Sequence, residues 1–160
     1  MSGVASVVTL VRLCRNHPGC CRWTGGLGPQ DIWRAECELG TSFPPSYRHF
    51  LAELGSCEVD GTEFLGGYRT PAMGDRLLGT VSETLDARTD PRFPPHLLVI
   101  QYDGMGGLAS LDVSHRNAAG EYPVVVWDPG SNDRDGPERL ADDFGAYALR
   151  QCVRALTRDD

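Results

Sequence analysis

The sequence predicts an α+β fold: one domain, with a mainly antiparallel central sheet and helices packed on one of its faces. Three observations lead there. Two short stretches, 29–39 and 45–54, repeat apolar residues at helical spacing and each runs into a glycine. Three later stretches, 97–102, 108–113 and 122–127, are rich in Val, Leu and Ile and are separated by glycine or polar turns, as strands are. A chain of 160 residues with 41% hydrophobic content supports one core and is too short for two ordinary domains.

Over residues 4–15, Val4, Val7, Val8, Val11 and Arg12 leave one side apolar, which suits a helix, while the β-branched content leaves a strand open on local grounds. Cys14, His17, Cys20 and Cys21 follow around the Pro18-Gly19 turn. Three cysteines and a histidine suffice for a tetrahedral zinc shell. These are crowded into one turn, however, and no second ligand pair occurs downstream, so the reading adopted is a turn with partly buried cysteines, no metal and no cofactor. Stoichiometric zinc in protein purified without added metal would reverse that. Trp23 to Gly28 reads as a flexible lead, so residues 1–28 form an N-terminal helix and loop.

Ile32, Ala35 and Leu39 line one face of the next helix, and Gly40 stands where a left-handed cap is easiest to build. Phe43-Pro44-Pro45 restarts the chain, since proline in a first turn loses no hydrogen bond. Tyr47, Phe50, Leu51 and Leu54 then line a second helix that Gly55 ends. Both helices are one-faced, so the pair needs a sheet to lie on. Glu36 sits among the apolar positions. It is expected to accept hydrogen bonds from N–H groups of a neighbouring loop and so latch the two helices, rather than to act as a catalytic acid.

From Ser56 to Gly67 the chain is acidic and glycine-punctuated and reads as strands or extended loops. Glu58 and Asp60 would share one strand face, with Glu63 beyond them. Residues 68–80 read as loop with one edge strand. A short helix at 82–88 is ended by Pro91, Pro94 and Pro95. Residues 97–102 are a continuous apolar run, expected as a central strand covered on both faces. A glycine-rich turn from Asp103, with Gly104 supplying positive φ, returns the chain into 108–113 as an antiparallel hairpin. That turn lacks the lysine and following helix of a phosphate loop. The strand 122–127 ends at Trp127, and Pro123 suggests that its start lies at an edge. Residues 128–137 are a polar loop. A last helix is expected from Leu140 through Phe144, Tyr147, Ala148, Leu149, Cys152 and Val153 to Leu156, with residues 158–160 frayed.

The run Ile32-Trp33-Arg34-Ala35-Glu36-Cys37-Glu38-Leu39-Gly40, then Phe43-Pro44, Tyr47, Phe50-Leu51 and Phe64-Leu65-Gly66-Gly67, resembles the N-terminal half of the SUKH superfamily, in its Smi/Knr-like branch. The stretch 97–112 with its glycine turn, and Tyr122 to Trp127, are similar to that family's central strands. The resemblance spans about residues 29–156 in order. It departs from the family at Phe43, where Leu is commoner, and at Leu54, where Asn is. Both read as packing variants.

No HExxH, GxSxG or paired CxxC occurs, and His17, His49, His96 and His115 each have a structural explanation, so a binding module is expected rather than an enzyme. The resemblance implies an immunity protein that neutralises a partner toxin, often a nuclease, or, as in fungal relatives, a regulatory or scaffolding domain. An enzyme with dispersed residues is the remaining alternative. All 15 basic residues are arginine, which points to a GC-rich genome, and 22 acidic ones give a net charge of −7. That balance disfavours a nucleic-acid groove and suits a basic protein partner, approached through the carboxylates of Glu58, Asp60, Glu63, Asp103, Asp112 and Asp128. Neither a signal peptide nor a membrane-length apolar run is recognised, so a cytoplasmic protein with reduced thiols is expected.

Overall fold

The computed structural model describes residues 1–130 and 136–158. Helix α1 (Gly3–Asn16) is followed by strand β1 (Cys21–Trp23), then α2 (Pro29–Leu39) and α3 (Pro45–Glu53). Strands β2 (Cys57–Val59), β3 (Thr62–Phe64), β4 (Gly67–Tyr68) and β5 (Leu78–Gly79) lead to α4 (Thr80–Ala87). The second half is β6 (Leu97–Tyr102), β7 (Leu108–Asp112), β8 (Val124–Trp127), β9 (Glu138–Ala141) and α5 (Phe144–Leu156). All strand pairing is antiparallel, in sheets β1-β2-β3, β4-β5 and β6-β7-β8-β9.

The helix ends form where the residues specify them. Gly40 closes α2 at φ 74°, Pro44 precedes the first turn of α3, and Gly55 follows α3 at φ 75°. A side chain at Gly66 would place its Cβ 1.6 Å from the Gly55 carbonyl oxygen, and one at Gly55 would lie 2.1 Å from the Gly25 carbonyl oxygen, so each close approach requires glycine. The two family departures are core residues: Leu54 is fully buried, and Phe43 packs edge-on against Tyr47 with ring centroids 5.2 Å apart. Tyr47, Phe50 and Phe144 continue the aromatic cluster, joining α3 to α5.

The alternation along β6 divides the core in two. Leu98 and Ile100 face the main core of helices, together with Ala109, Leu111 and Val124. Leu97 and Val99 face a smaller cluster in which Phe93, from the segment after α4, meets Trp127 edge-on at 5.2 Å. The central strand is therefore covered on both faces, as its sequence implies. Its free edge is sealed by α4: the Thr80 hydroxyl donates to the Val99 carbonyl, and the Val99 N–H donates to the Thr84 hydroxyl at 2.9 Å. Thr84→Val is expected to cost about 1–3 kcal/mol, because a buried N–H loses its acceptor. Thr84→Ser, which keeps the oxygen, should cost less. Urea midpoints of the three proteins check this.

Several expectations are corrected. The helix pair α2 and α3 lies mainly against other helices, α3 on α1 and α5, α2 on α4, because α1 and α5 supply apolar faces nearer than the sheet. In α1 the buried stripe is Ser6, Val7, Leu10, Val11 and Cys14, and Val8 is exposed. The segment from Trp23 to Gly28 is no flexible lead. Trp23 pairs with Cys57, Gly25 N–H donates to the Leu54 carbonyl at 3.0 Å, and Leu27 N–H to that of Leu51 at 2.9 Å. Pro123 marks no edge: β8 lies between β7 and β9, and Pro123 precedes the ladder, where its carbonyl accepts from Asp112 N–H. Leu140 belongs to the edge strand β9, and α5 starts only at Phe144, where Asp143 accepts the Ala146 N–H at 2.7 Å. The expected loop 128–137 and the frayed end lie partly outside the described residues.

Candidate functional site

The β2–β3 hairpin carries three of the six carboxylates proposed from sequence. Val59 pairs with Thr62, which leaves Asp60-Gly61 as a two-residue loop, and both have positive φ, 44° and 84°, as a type I′ turn requires. Asp60 is thus a turn residue and does not share a strand face with Glu58. Glu58 stands opposite Glu63 on one side and opposite Arg22 on the other. Like charges directly across a ladder repel, so Glu58 and Glu63 are better accommodated with a cation nearby.

A groove of about 460 Å³ runs beside this hairpin. Glu63 and Asp103 line it together with Tyr102 and Gly104, and Gln101 and Tyr147 also line it. Gln101 is buried. Its amide nitrogen donates to the Glu63 carbonyl at 3.1 Å and its oxygen accepts from the Tyr147 hydroxyl, so β3, β6 and α5 are tied beneath the groove. Asp103 is held in place by its own turn, accepting from Met105 N–H at 2.7 Å and Gly107 N–H at 2.8 Å. Tyr102 is 54% exposed, and its hydroxyl donates to Glu83. Partial burial, then the Glu83 contact and the negative charges of Glu83, Asp86 and Glu63, push its phenol well above the ordinary tyrosine range. It stands in a field of carboxylates.

A second groove of about 230 Å³ is lined by Trp23, Tyr68, Glu58 and Arg22, among others, and by Glu63, which is common to both. Sequence reasoning missed the far wall of the first groove. Arg158, just beyond α5, lines it together with Gln151 of that helix, its guanidinium 3.4 Å from the Thr62 hydroxyl. The groove is thus lined by carboxylates and aromatic rings, with Arg158 beside Thr62.

The other two proposed carboxylates separate. Asp128 is exposed and accepts the Gly130 N–H at 2.8 Å, at the same end of the sheet as the Asp103 turn, because Trp127 pairs with Leu108. Asp112 is corrected: it is 8% exposed at the opposite end of β7, and its oxygens are occupied by Ser114 N–H at 3.0 Å, the Ser114 hydroxyl at 2.6 Å and His115 Nδ1 at 3.0 Å. Burial pushes its pKa up, but those hydrogen bonds and nearby His96 hold it below the usual aspartate value. Ser114 meets His115 at Nδ1 too, at 2.9 Å. A hydrolytic relay needs the hydroxyl and the carboxylate on different ring nitrogens, and here both use the same one.

Glu36 accepts the Phe43 N–H at 2.8 Å, between α2 and α3, and also pairs with Arg48 at 2.6 Å, a partner the sequence reading did not name. Arg69 grips Asp31 with both guanidinium nitrogens, at 2.8 and 2.6 Å, fastening α2 to the segment after β4. A buried carboxylate that sequence reasoning passed over is Glu121, which accepts the Ser46 N–H at 2.8 Å and the Ser46 hydroxyl at 2.7 Å in the first turn of α3. Of the cysteine–histidine turn, Cys14 and Cys21 point into the core, whereas Cys20 is exposed and His17 meets the Leu13 carbonyl at 2.8 Å.

With helices, hairpin and strands in this order, residues 29–147 match the family model described as SMI1-KNR4 cell-wall. The chain belongs to the SUKH superfamily. No curated protein matches it significantly. The SUKH match takes in both grooves' hairpin, Tyr102 and the Asp103 turn, and leaves out α1, β1 and most of α5. Among the described residues no helix is long and apolar enough to cross a membrane.

Proposed function

We propose that this SUKH protein works without catalysis, by stoichiometric binding of a protein partner, and that the partner is a bacterial toxin domain with a basic surface, such as a nuclease. The observation that carries this reading is the pair of grooves sharing Glu63. They place Glu58, Glu63 and Asp103 beside the aromatic side chains of Trp23, Tyr68 and Tyr102 on a chain of net charge −7. Carboxylates next to accessible aromatic rings suit arginine and lysine, which pair with the charge and stack on the ring. Long-range attraction would speed encounter, and occupancy of the toxin's cleft would suffice to silence it. Arg158 in the first groove favours a partner with an acidic group beside its basic segment.

The family's cell-wall description favours a second reading, a regulatory domain that holds a cellular protein by the same surface. Capture from the cells of origin with the tagged chain tests both. The first reading expects a one-to-one complex with a toxin whose activity stops at equimolar chain. A complex with a non-toxin favours the second, and turnover of a substrate by the pure chain would overturn both. Glu63→Lys is expected to weaken capture at least tenfold while leaving the melting temperature within a few degrees, since Glu63 is exposed and its side chain makes no hydrogen bond or ion pair among the described residues.

A further inference from the structure

Four of the six cysteines come from four different elements and meet inside the core: Cys14 on α1, Cys21 on β1, Cys57 on β2 and Cys152 on α5. None is more than 3% exposed. The strand register brings two of them together. Cys21 pairs with Val59 and Cys57 with Trp23, so the two thiols are diagonal neighbours on one buried face, over which α1 and α5 pack. Cys14 is at the centre. Its sulfur lies 3.7 Å from that of Cys57, and Cys152 and Cys21 adjoin it. The Cys152 contact draws the Cys14 thiol down, but the Cys57 contact and burial outweigh it and push the thiol well up, so the reduced cluster is neutral and packs as small apolar groups.

We propose that Cys14 and Cys57 are an oxidation site at which a hydroperoxide forms a disulfide, locking α1 to β2. With hydrogen peroxide, one sulfur attacks the O–O bond as its thiolate, giving a sulfenic acid and water. The second thiol attacks that sulfenic sulfur, and a second water leaves. In sum, two thiols and one peroxide give one disulfide and two waters; the sulfurs are oxidised and the peroxide oxygens reduced. A disulfide bond is about 2.05 Å long, so the sulfurs close by roughly 1.7 Å from their 3.7 Å contact. Because burial disfavours the thiolate, the reaction waits on opening of α1 and is slower than oxidation of the exposed Cys20 and Cys37.

The full chain is treated with hydrogen peroxide for hours, its remaining thiols are alkylated, and a non-reducing digest is mapped by mass spectrometry. The expected result is a peptide pair joined through Cys14 and Cys57, two hydrogen masses lighter than the reduced pair, with a melting temperature raised by roughly 10 °C and restored by dithiothreitol. Cys57→Ala, which keeps a small apolar side chain, should show neither change. Oxidation confined to Cys20 and Cys37, a crosslink to Cys152 or Cys21 instead, or a cluster protected by a bound metal found by elemental analysis would each overturn the proposal.

Discussion

A chain shortened to begin at Pro29 is expected to lose cooperative thermal unfolding, even though the SUKH match begins at residue 29. Helix α1 fills the space between α3 and α5. It inserts Val7, Leu10 and Val11, none more than 5% exposed, each contributing about 1.5–3 kcal/mol. Its first turn touches α5 so closely that a Cβ on Gly145 would lie 2.0 Å from the Gly3 carbonyl oxygen. Strand β1 adds the outer rung of a sheet that has only β2 and β3 without it. The sum is comparable with the whole stability of an ordinary domain, about 5–15 kcal/mol. Near-ultraviolet circular dichroism on heating checks this: a flat, non-sigmoidal trace is expected for the short chain, and a sharp transition like that of the full chain would refute the role given to α1.

Glu121→Ala is expected to destabilise the fold by about 3–5 kcal/mol, because Ser46 is fully buried and would keep an N–H and a hydroxyl with no acceptor. Glu121→Gln retains one acceptor oxygen and should cost much less. The pH dependence separates these roles. Burial raises the Glu121 pKa, against the pull of its Ser46 hydrogen bonds, so the folded chain binds that proton more tightly than the unfolded chain does. Its contribution is therefore fully present below the unfolded value of about 4.3 and declines as pH rises through the folded value. Asp31, held low by Arg69, and Asp112 act in the opposite direction, their contributions being lost as pH falls below about 3.9. Between pH 4.5 and 7, Glu121→Gln should accordingly show a flatter stability profile than the natural chain, measured by urea unfolding at each pH.

The parts of the fold readable from sequence are those with local causes. Gly40, Pro44 and Gly55 bound their helices because helix ends depend on the residues at the ends. The hairpin from Leu97 to Asp112 has its turn residues in place. The Asp60-Gly61 dipeptide was an equally local signal for the β2–β3 hairpin and could have placed Asp60 in a turn. Asp143 likewise could have placed the start of α5, but Leu140 lies four residues before Phe144 and mimics the helical stripe. What could not be read depends on distant residues. Glu121 reaches Ser46 across 75 positions, Cys14 meets Cys57 across 43, and Thr84 seals a strand edge 15 residues on. The approach of His96 to Asp112 belongs to the same class, since it follows from the pairing of β6 with β7, whereas His115 lies three residues beyond Asp112 and is a local contact.

As proposed, the carboxylates and aromatic rings of the two grooves would recognise a basic protein. Stopped-flow association of the captured partner with the natural chain and with Glu63→Lys/Asp103→Lys, at about 0.02 and 0.5 M salt, tests this most directly. For the natural chain the rate should fall by at least tenfold as salt rises, and the double variant should associate slowly at both concentrations. Equal rates for the two proteins, unchanged by salt, would contradict it.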